Sequence, residues 1–131
     1  MKSFRRSRIR SFRHAISGWW FVIRTQQNAW VHLLATCCVV ILAAWLRLAL
    51  RDWAVLLMAI AIVWTAEFLN TALEAVVDLA SPEHHPLAKV GKDVGAASVL
   101  IAALSAAILG FLILGPPLWE RLSALLETIR K

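Results

Sequence analysis

The chain has 131 residues, 60% of them hydrophobic, and a formal net charge of +6. Its mean hydropathy is +0.70, and its apolar share exceeds the roughly 45–50% of soluble domains, which excludes an ordinary soluble globular domain. The length accommodates one domain at most, residues 1–131, and the uncharged runs 31–46, 53–66 and 94–114 set the class as an all-α integral membrane protein.

The N-terminus does not read as a cleavable signal. Lys2, Arg5, Arg6, Arg8, Arg10 and Arg13 stand too far ahead of the first long apolar run, and no small-residue cleavage site follows. The first acid in the chain is Asp52. A basic stretch beside membrane helices points to an anionic membrane surface as its partner rather than to nucleic acid. Phe4, Phe12, Ile16, Trp19, Trp20, Phe21 and Ile23 interleave with the arginines, which predicts an amphipathic helix lying on the membrane surface over residues 4–30.

Three transmembrane helices follow, predicted over 31–50, 53–80 and 89–114. Arg51 and Asp52 form a tight turn between the first two. The polar loop 81–86 separates the second and third, its prolines ending one helix and opening the next. Gly115, Pro116 and Pro117 stop the third, and 118–131 forms a short amphipathic C-terminal helix. Cys37 and Cys38, adjacent in the first span, point to different helix faces and read as small apolar filler. Trp19, Trp20, Trp30, Trp53 and Trp119 fall near predicted interfaces, as an aromatic belt does; Trp45 and Trp64 lie deeper. His32 sits at a span boundary and reads as structural, and His14 lies on the surface helix. Ser98, Ala102, Ala106 and Gly110 repeat every four residues, a close-packing face in lipid that suits an oligomer. Lys and Arg number nine on the side of the N-terminus and the 81–93 loop against five on the other, which places the N-terminus in the cytoplasm.

The second span ends in "AEFLNTALEAVVDLA". Glu67, Asn70, Glu74 and Asp78 fall within an arc of about 80° on a helix of 3.6 residues per turn. Glu67 lies inside the cytoplasmic half of the bilayer, where a carboxylate must be paired, neutral or in a wet cavity. Lys89, Lys92 and Asp93 share a face at the start of the third span, which the short loop brings alongside. Carboxylates hold Mg²⁺ together with substrate phosphates, lysine holds a phosphate as a point charge, and a further carboxylate serves as a general base. The chain has no G-x-x-x-x-G-K-[ST] loop and no protein-kinase motif set. The residues themselves leave two readings open: metal-dependent phosphoryl chemistry on a lipid, or a cation or proton path.

With these motifs the chain resembles the small prokaryotic integral-membrane lipid kinases, diacylglycerol kinase and undecaprenol kinase. "EFLNTALEAVVDL" (67–79) matches the family's E-x-x-N-[ST]-A-x-E-x-x-x-D signature. "HPLAKVGKDVGAASVL" (85–100) is similar to its A-K-D motif, with Gly91 where alanine is usual. The resemblance implies an N-terminal amphipathic surface helix plus three transmembrane helices per protomer, assembled as a homotrimer with sites between protomers in the bacterial inner membrane. It implies ATP as co-substrate, Mg²⁺ as cofactor, and a membrane lipid alcohol as acceptor. By the same resemblance Glu67 is the base, Asn70 organises the site, and Glu74 ligates the metal. Glu83 and His85 contact the nucleotide, which His14 faces from the surface helix; Lys92 with Asp93 holds its phosphates and fixes the site geometry, and Asp78 helps order the site. "RTQQNAWVH" (24–32) resembles the family's stretch with a second metal-binding glutamate, but Gln26 stands at that position. A neutral amide oxygen there is a weaker metal ligand with one charge fewer. The nucleotide-facing arginine of the family is one of Arg6, Arg8 and Arg10. The contrasting expectation is a relative that has lost catalysis through Gln26, or a small cation- or proton-conducting membrane protein.

Overall fold

The computed structural model describes residues 2–81, 83 and 85–130, with side chains from residue 10 onward except that of Ile129. The side chains of Lys2, Phe4, Arg5, Arg6 and Arg8, and residues Pro82, His84 and Lys131, which the sequence reading drew on, lie outside the described residues. Four helices follow in order: α1 (Lys2–Thr25), α2 (Gln27–Leu46), α3 (Leu50–Ala80) and α4 (Pro86–Ile129). There is no strand among the described residues. α2, α3 and α4 are each long and apolar enough to cross a membrane, and Leu34, Ile62, Ile101 and Leu112 are among the large apolar side chains they turn outward. That outward face is expected of helices whose solvent is lipid.

Three predicted boundaries move, each for a physical reason. The turn between α2 and α3 is not at Arg51 and Asp52 but at 47–49. Arg47 adopts a left-handed conformation, φ 56° and ψ 48°, while Leu48 N–H donates back to Ala43 O at 3.2 Å and Arg47 N–H to Ala44 O at 3.1 Å. This is a Schellman-type stop, in a position where glycine is the usual residue, so nothing in the sequence announces it. Asp52 instead falls in the first turn of α3, where the helix dipole favours an acid. The linkage between α1 and α2 is likewise sharper than a continuous 4–30 helix: Gln26 leaves helical geometry, φ −103° and ψ 116°, and serves as the N-cap of α2.

The third correction is at Pro116 and Pro117, which do not stop α4. Each proline removes one helix donor, but Gly115 has no Cβ to clash with the following ring. Leu114, 7% exposed, joins Ala43, Leu46 and Leu56 in a buried cluster, with Ile113 and Leu118 packed against it from either side of the prolines. Anchored on both sides, the helix runs on, and the predicted separate helix over 118–131 is its continuation. At 1.5 Å per residue, α4 with its 44 residues is about 66 Å long, roughly twice a bilayer core. Its distal part turns Arg121 over the Trp45 ring at 4.8 Å, tying it to the end of α2.

At the other end Val22, Ala29 and Trp64 form a second buried cluster that joins α1, α2 and α3. Trp19 lies 4.9 Å from Trp64 and 4.7 Å from Phe68, ring centre to ring centre, so α1 is held against α3 by aromatic contact. The small-residue face of α4 is used partly within the chain, since Ala102 is 8% exposed. α3 and α4 approach closely at Gly95: a Cβ there would collide with Asn70 Oδ1 and meet Leu73 Cδ2 at 3.0 Å. At Gly91 the nearest atom would be Val77 Cγ2 at an ordinary 3.7 Å.

Gly95→Ala is therefore expected to destabilise the folded protein in detergent by ~1–3 kcal/mol through overpacking, lowering its thermal midpoint. Gly91→Ala should leave that midpoint nearly unchanged. Equal midpoints for the two variants would refute the close approach.

Candidate active site

The position of α3 between α2 and α4 determines what each acid on its polar face meets. Glu67 is 1% exposed and Asn70 7%; Glu74 is half-buried and Asp78 exposed. On the α2 side, three polar contacts descend in step. Gln26 Nε2 donates to Glu74 Oε2 at 3.4 Å, His32 Nε2 lies 3.7 Å from Glu67 Oε2, and Trp64 Nε1 donates to Thr36 Oγ1 at 3.2 Å. The α2 partner moves forward from 26 to 36 as the α3 partner moves back from 74 to 64, the register of two antiparallel helices. Asn70 Nδ2 donates to Glu74 Oε1 at 3.0 Å, so both oxygens of Glu74 are met by amides. Thr71 satisfies its own hydroxyl by donating to the Glu67 carbonyl at 2.9 Å, as threonine does inside helices.

Three polar atoms in this region are buried without a hydrogen-bond partner: His32 Nε2, Glu67 Oε2 and Asn70 Oδ1. Such atoms are rare in folded proteins, and a group of them marks a place built for something else. Glu74 adds a related demand. The ion pairs and His–carboxylate contacts among the described residues are His32–Glu67, Lys89–Asp93 and Lys92–Asp78, so its charge has no cationic side chain to balance it. The described residues hold no cluster of three or more His, Cys, Asp and Glu able to enclose a metal by themselves. One carboxylate, an amide oxygen at Gln26 and ligand phosphates are nonetheless a donor set of the kind Mg²⁺ takes, since that ion keeps several waters and binds through one or two carboxylates. The residues present fit such an ion.

Nearer the end of α3 an open cleft of about 620 Å³ is lined by Asp78, Glu83, His85, Lys89 and Lys92. His85 Nδ1 accepts the Leu87 N–H at 3.2 Å and so caps α4; Ser81 Oγ donates to the Glu83 carbonyl at 3.0 Å. Lys92 Nζ reaches across to Asp78 Oδ1 at 2.5 Å, while Lys89 Nζ meets Asp93 Oδ2 at 2.7 Å on its own helix. Solvent-facing pairs of this kind contribute little, ~0–1 kcal/mol, so an incoming phosphate can take the lysines over at small cost.

The structure thus brings Glu67, Asn70, Glu74 and Gln26 into one network, and Asp78, Glu83, His85 and Lys92 into the cleft above it. Asp93 is not among the cleft-lining residues. His14 is exposed on α1, and no hydrogen bond or ion pair among the described residues ties it to the network. Sequence reasoning missed the partnership of His32 with Glu67, because nothing in one sequence pairs residues on different helices. It also missed Gly95, whose signal was present as a glycine in the small-residue run after Asp93.

Residues 13–114 match the model of the prokaryotic diacylglycerol kinase family. The chain is 39% identical to the undecaprenol kinase of Bacillus subtilis (strain 168) over 109 residues, covering 83% of this chain and 89% of that protein. It is 42% identical over 109 residues to the diacylglycerol kinase of Synechocystis sp., covering 82% of this chain and 62% of the relative. Against the diacylglycerol kinase of Escherichia coli (strain K12) it is 39% identical over 75 residues, 57% of this chain and 62% of the relative. The chain belongs to the prokaryotic diacylglycerol kinase family of lipid kinases.

Proposed function

We propose that this kinase transfers the γ-phosphoryl group of ATP to the hydroxyl of a membrane lipid alcohol at the cytoplasmic face of the bacterial inner membrane. Undecaprenol is the acceptor of first choice and diacylglycerol the second. Supporting undecaprenol, the match spans 89% of the undecaprenol kinase but 62% of each of the two diacylglycerol kinases compared. The observation that carries the reading is the buried, unpartnered Glu67 carboxylate oxygen. It lies on the same helix face as Glu74 and Asp78, below a cleft with two lysines.

In this reading the lipid hydroxyl approaches Glu67 from the hydrocarbon side. Glu67 takes its proton as the oxygen forms a bond to the γ-phosphorus, and the bond from that phosphorus to the β–γ bridging oxygen breaks, releasing ADP. Lys92, drawn off Asp78, holds the phosphates, and Lys89 is the second cation within reach. Asp93 keeps Lys89 in place, Asp78 holds Lys92 until the nucleotide arrives, and Glu83 and His85 border the nucleotide, with His14 approaching from α1. Asn70 fixes Glu74 by its amide N–H. Mg²⁺ bound with ATP, held by Glu74 and the Gln26 amide oxygen, would neutralise charge developing on the transferred group. Positioning and charge neutralisation supply most of the rate in such transfers. The protein is read as multi-pass with its N-terminus cytoplasmic, from the nine-to-five distribution of Lys and Arg. The basic N-terminus rests on anionic lipid, and the active unit is a homotrimer.

Three outcomes test this. Glu67→Gln should lower kcat by ~10²–10⁴, the usual contribution of a general base, measured as labelled phosphate transferred by folded protein; a near-normal rate would remove Glu67 from that role. Gln26→Glu should reduce the Mg²⁺ concentration for half-maximal activity about tenfold, equivalent to ~1.4 kcal/mol. An unchanged Mg²⁺ titration would take Gln26 out of the metal site. Protein reconstituted with labelled ATP should phosphorylate undecaprenol in preference to diacylglycerol; transfer to neither, with Mg-ATP bound, would identify a non-catalytic relative.

A further inference from the structure

We propose that His32 is a positioning residue for Glu67: its Nε2–H holds Oε2 of the carboxylate, so that the other oxygen is presented to the lipid hydroxyl. This rests on the kinase reading above. His32 Nε2 and Glu67 Oε2 face one another at 3.7 Å, and both atoms are sealed from solvent with no other partner. An imidazole nitrogen and a carboxylate oxygen left unsatisfied side by side each cost free energy, and the two are relieved together by one hydrogen bond. The remaining separation, a few tenths of an ångström beyond hydrogen-bond range, is of the size that closes when an active site takes up its substrates.

The surroundings restrict what else each group can do. The His32 ring stands edge-on to Trp64 at 6.3 Å, and Trp64 is itself fixed by its bond to Thr36. Near Glu67, α2 supplies His32 and its own helix supplies Asn70, Thr71 and Glu74, while Ser98 on the facing helix α4 donates its hydroxyl to the Gly95 carbonyl at 2.6 Å. Thr71 uses its hydroxyl on the Glu67 backbone, and Asn70 directs its amide N–H to Glu74. Among these groups, His32 is therefore the side chain left to orient the carboxylate. A free carboxylate rotates about its last side-chain torsion with little preference; one held at Oε2 keeps Oε1 aimed in a fixed direction. The proton from the lipid hydroxyl then arrives at Oε1, while the His32 proton stays on Nε2 throughout the transfer.

The test compares wild-type protein, His32→Ala and His32→Gln in detergent–lipid micelles with ATP and the lipid acceptor. His32→Ala should lower kcat by about tenfold or more, with KM for ATP and for lipid within about twofold of wild type. His32→Gln, whose amide N–H reaches nearly the same point, should restore most of that loss. A glutamine variant as slow as the alanine variant would overturn the assignment, as would an effect confined to KM. A second measurement does not need turnover. In the nitrogen spectrum of isotope-labelled histidine side chains, the resonance lost in His32→Gln identifies His32, and that resonance should show a protonated Nε2 that shifts in Glu67→Gln. An unshifted signal would overturn the contact. Wild-type protein that phosphorylates neither undecaprenol nor diacylglycerol would instead defeat the kinase reading, and the spectrum would then decide alone whether the pair exists.

Discussion

A carboxylate at 1% exposure within a helix long enough to cross a membrane is the constraint from which the arrangement of the other elements follows. Hydrocarbon offers no water to satisfy it, so protein groups must come to it from neighbouring helices. α2 supplies them at the spacing that antiparallel packing against α3 allows, with Gln26, His32 and Thr36 each opposite a polar or aromatic side chain of α3. The fit is incomplete at one level. Glu74 and Trp64 have hydrogen-bond partners, while His32, Glu67 and one atom of Asn70 keep unused capacity. Structural contacts thus hold the ladder above and below the place where chemistry is proposed.

The opposite flank of α3 is arranged by steric room rather than by charge. Gly95 lets the α4 backbone come up to Asn70, and that proximity fixes the side chain whose N–H holds Glu74. Further toward the loop the same two helices border the polar cleft, where Lys92 crosses to Asp78. Polar groups on one face of α3 therefore run from the exposed cleft at Asp78 down to the buried carboxylate of Glu67. α1 closes the flank near that carboxylate through Trp19 on Trp64 and Phe68, so a segment rich in arginine at its start is anchored by its aromatic residues.

Where sequence reasoning failed on helix limits, the cause was context. The reverse turn after α2 uses Arg47 in a backbone conformation that favours glycine, held by hydrogen bonds to Ala43 and Ala44. Pro116 and Pro117 are strong stop signals by composition, yet packing on both sides keeps α4 continuous through them. In each case local preference amounts to a few kcal/mol per residue, and contacts with another helix outweigh it.

The sequence by itself determined that the chain is helical and spans a membrane, because hydrophobic length is a property of consecutive residues. It also placed Glu67, Asn70, Glu74 and Asp78 on one face, because helical periodicity is local, and its motifs were enough to suggest the kinase family. Only the tertiary structure decided which groups meet them: Gln26 on Glu74, His32 beside Glu67, Lys92 rather than Lys89 on Asp78, and Gly95 under Asn70. These depend on the register between separate helices, which is set by packing across the whole interface and is written in no single stretch of the chain.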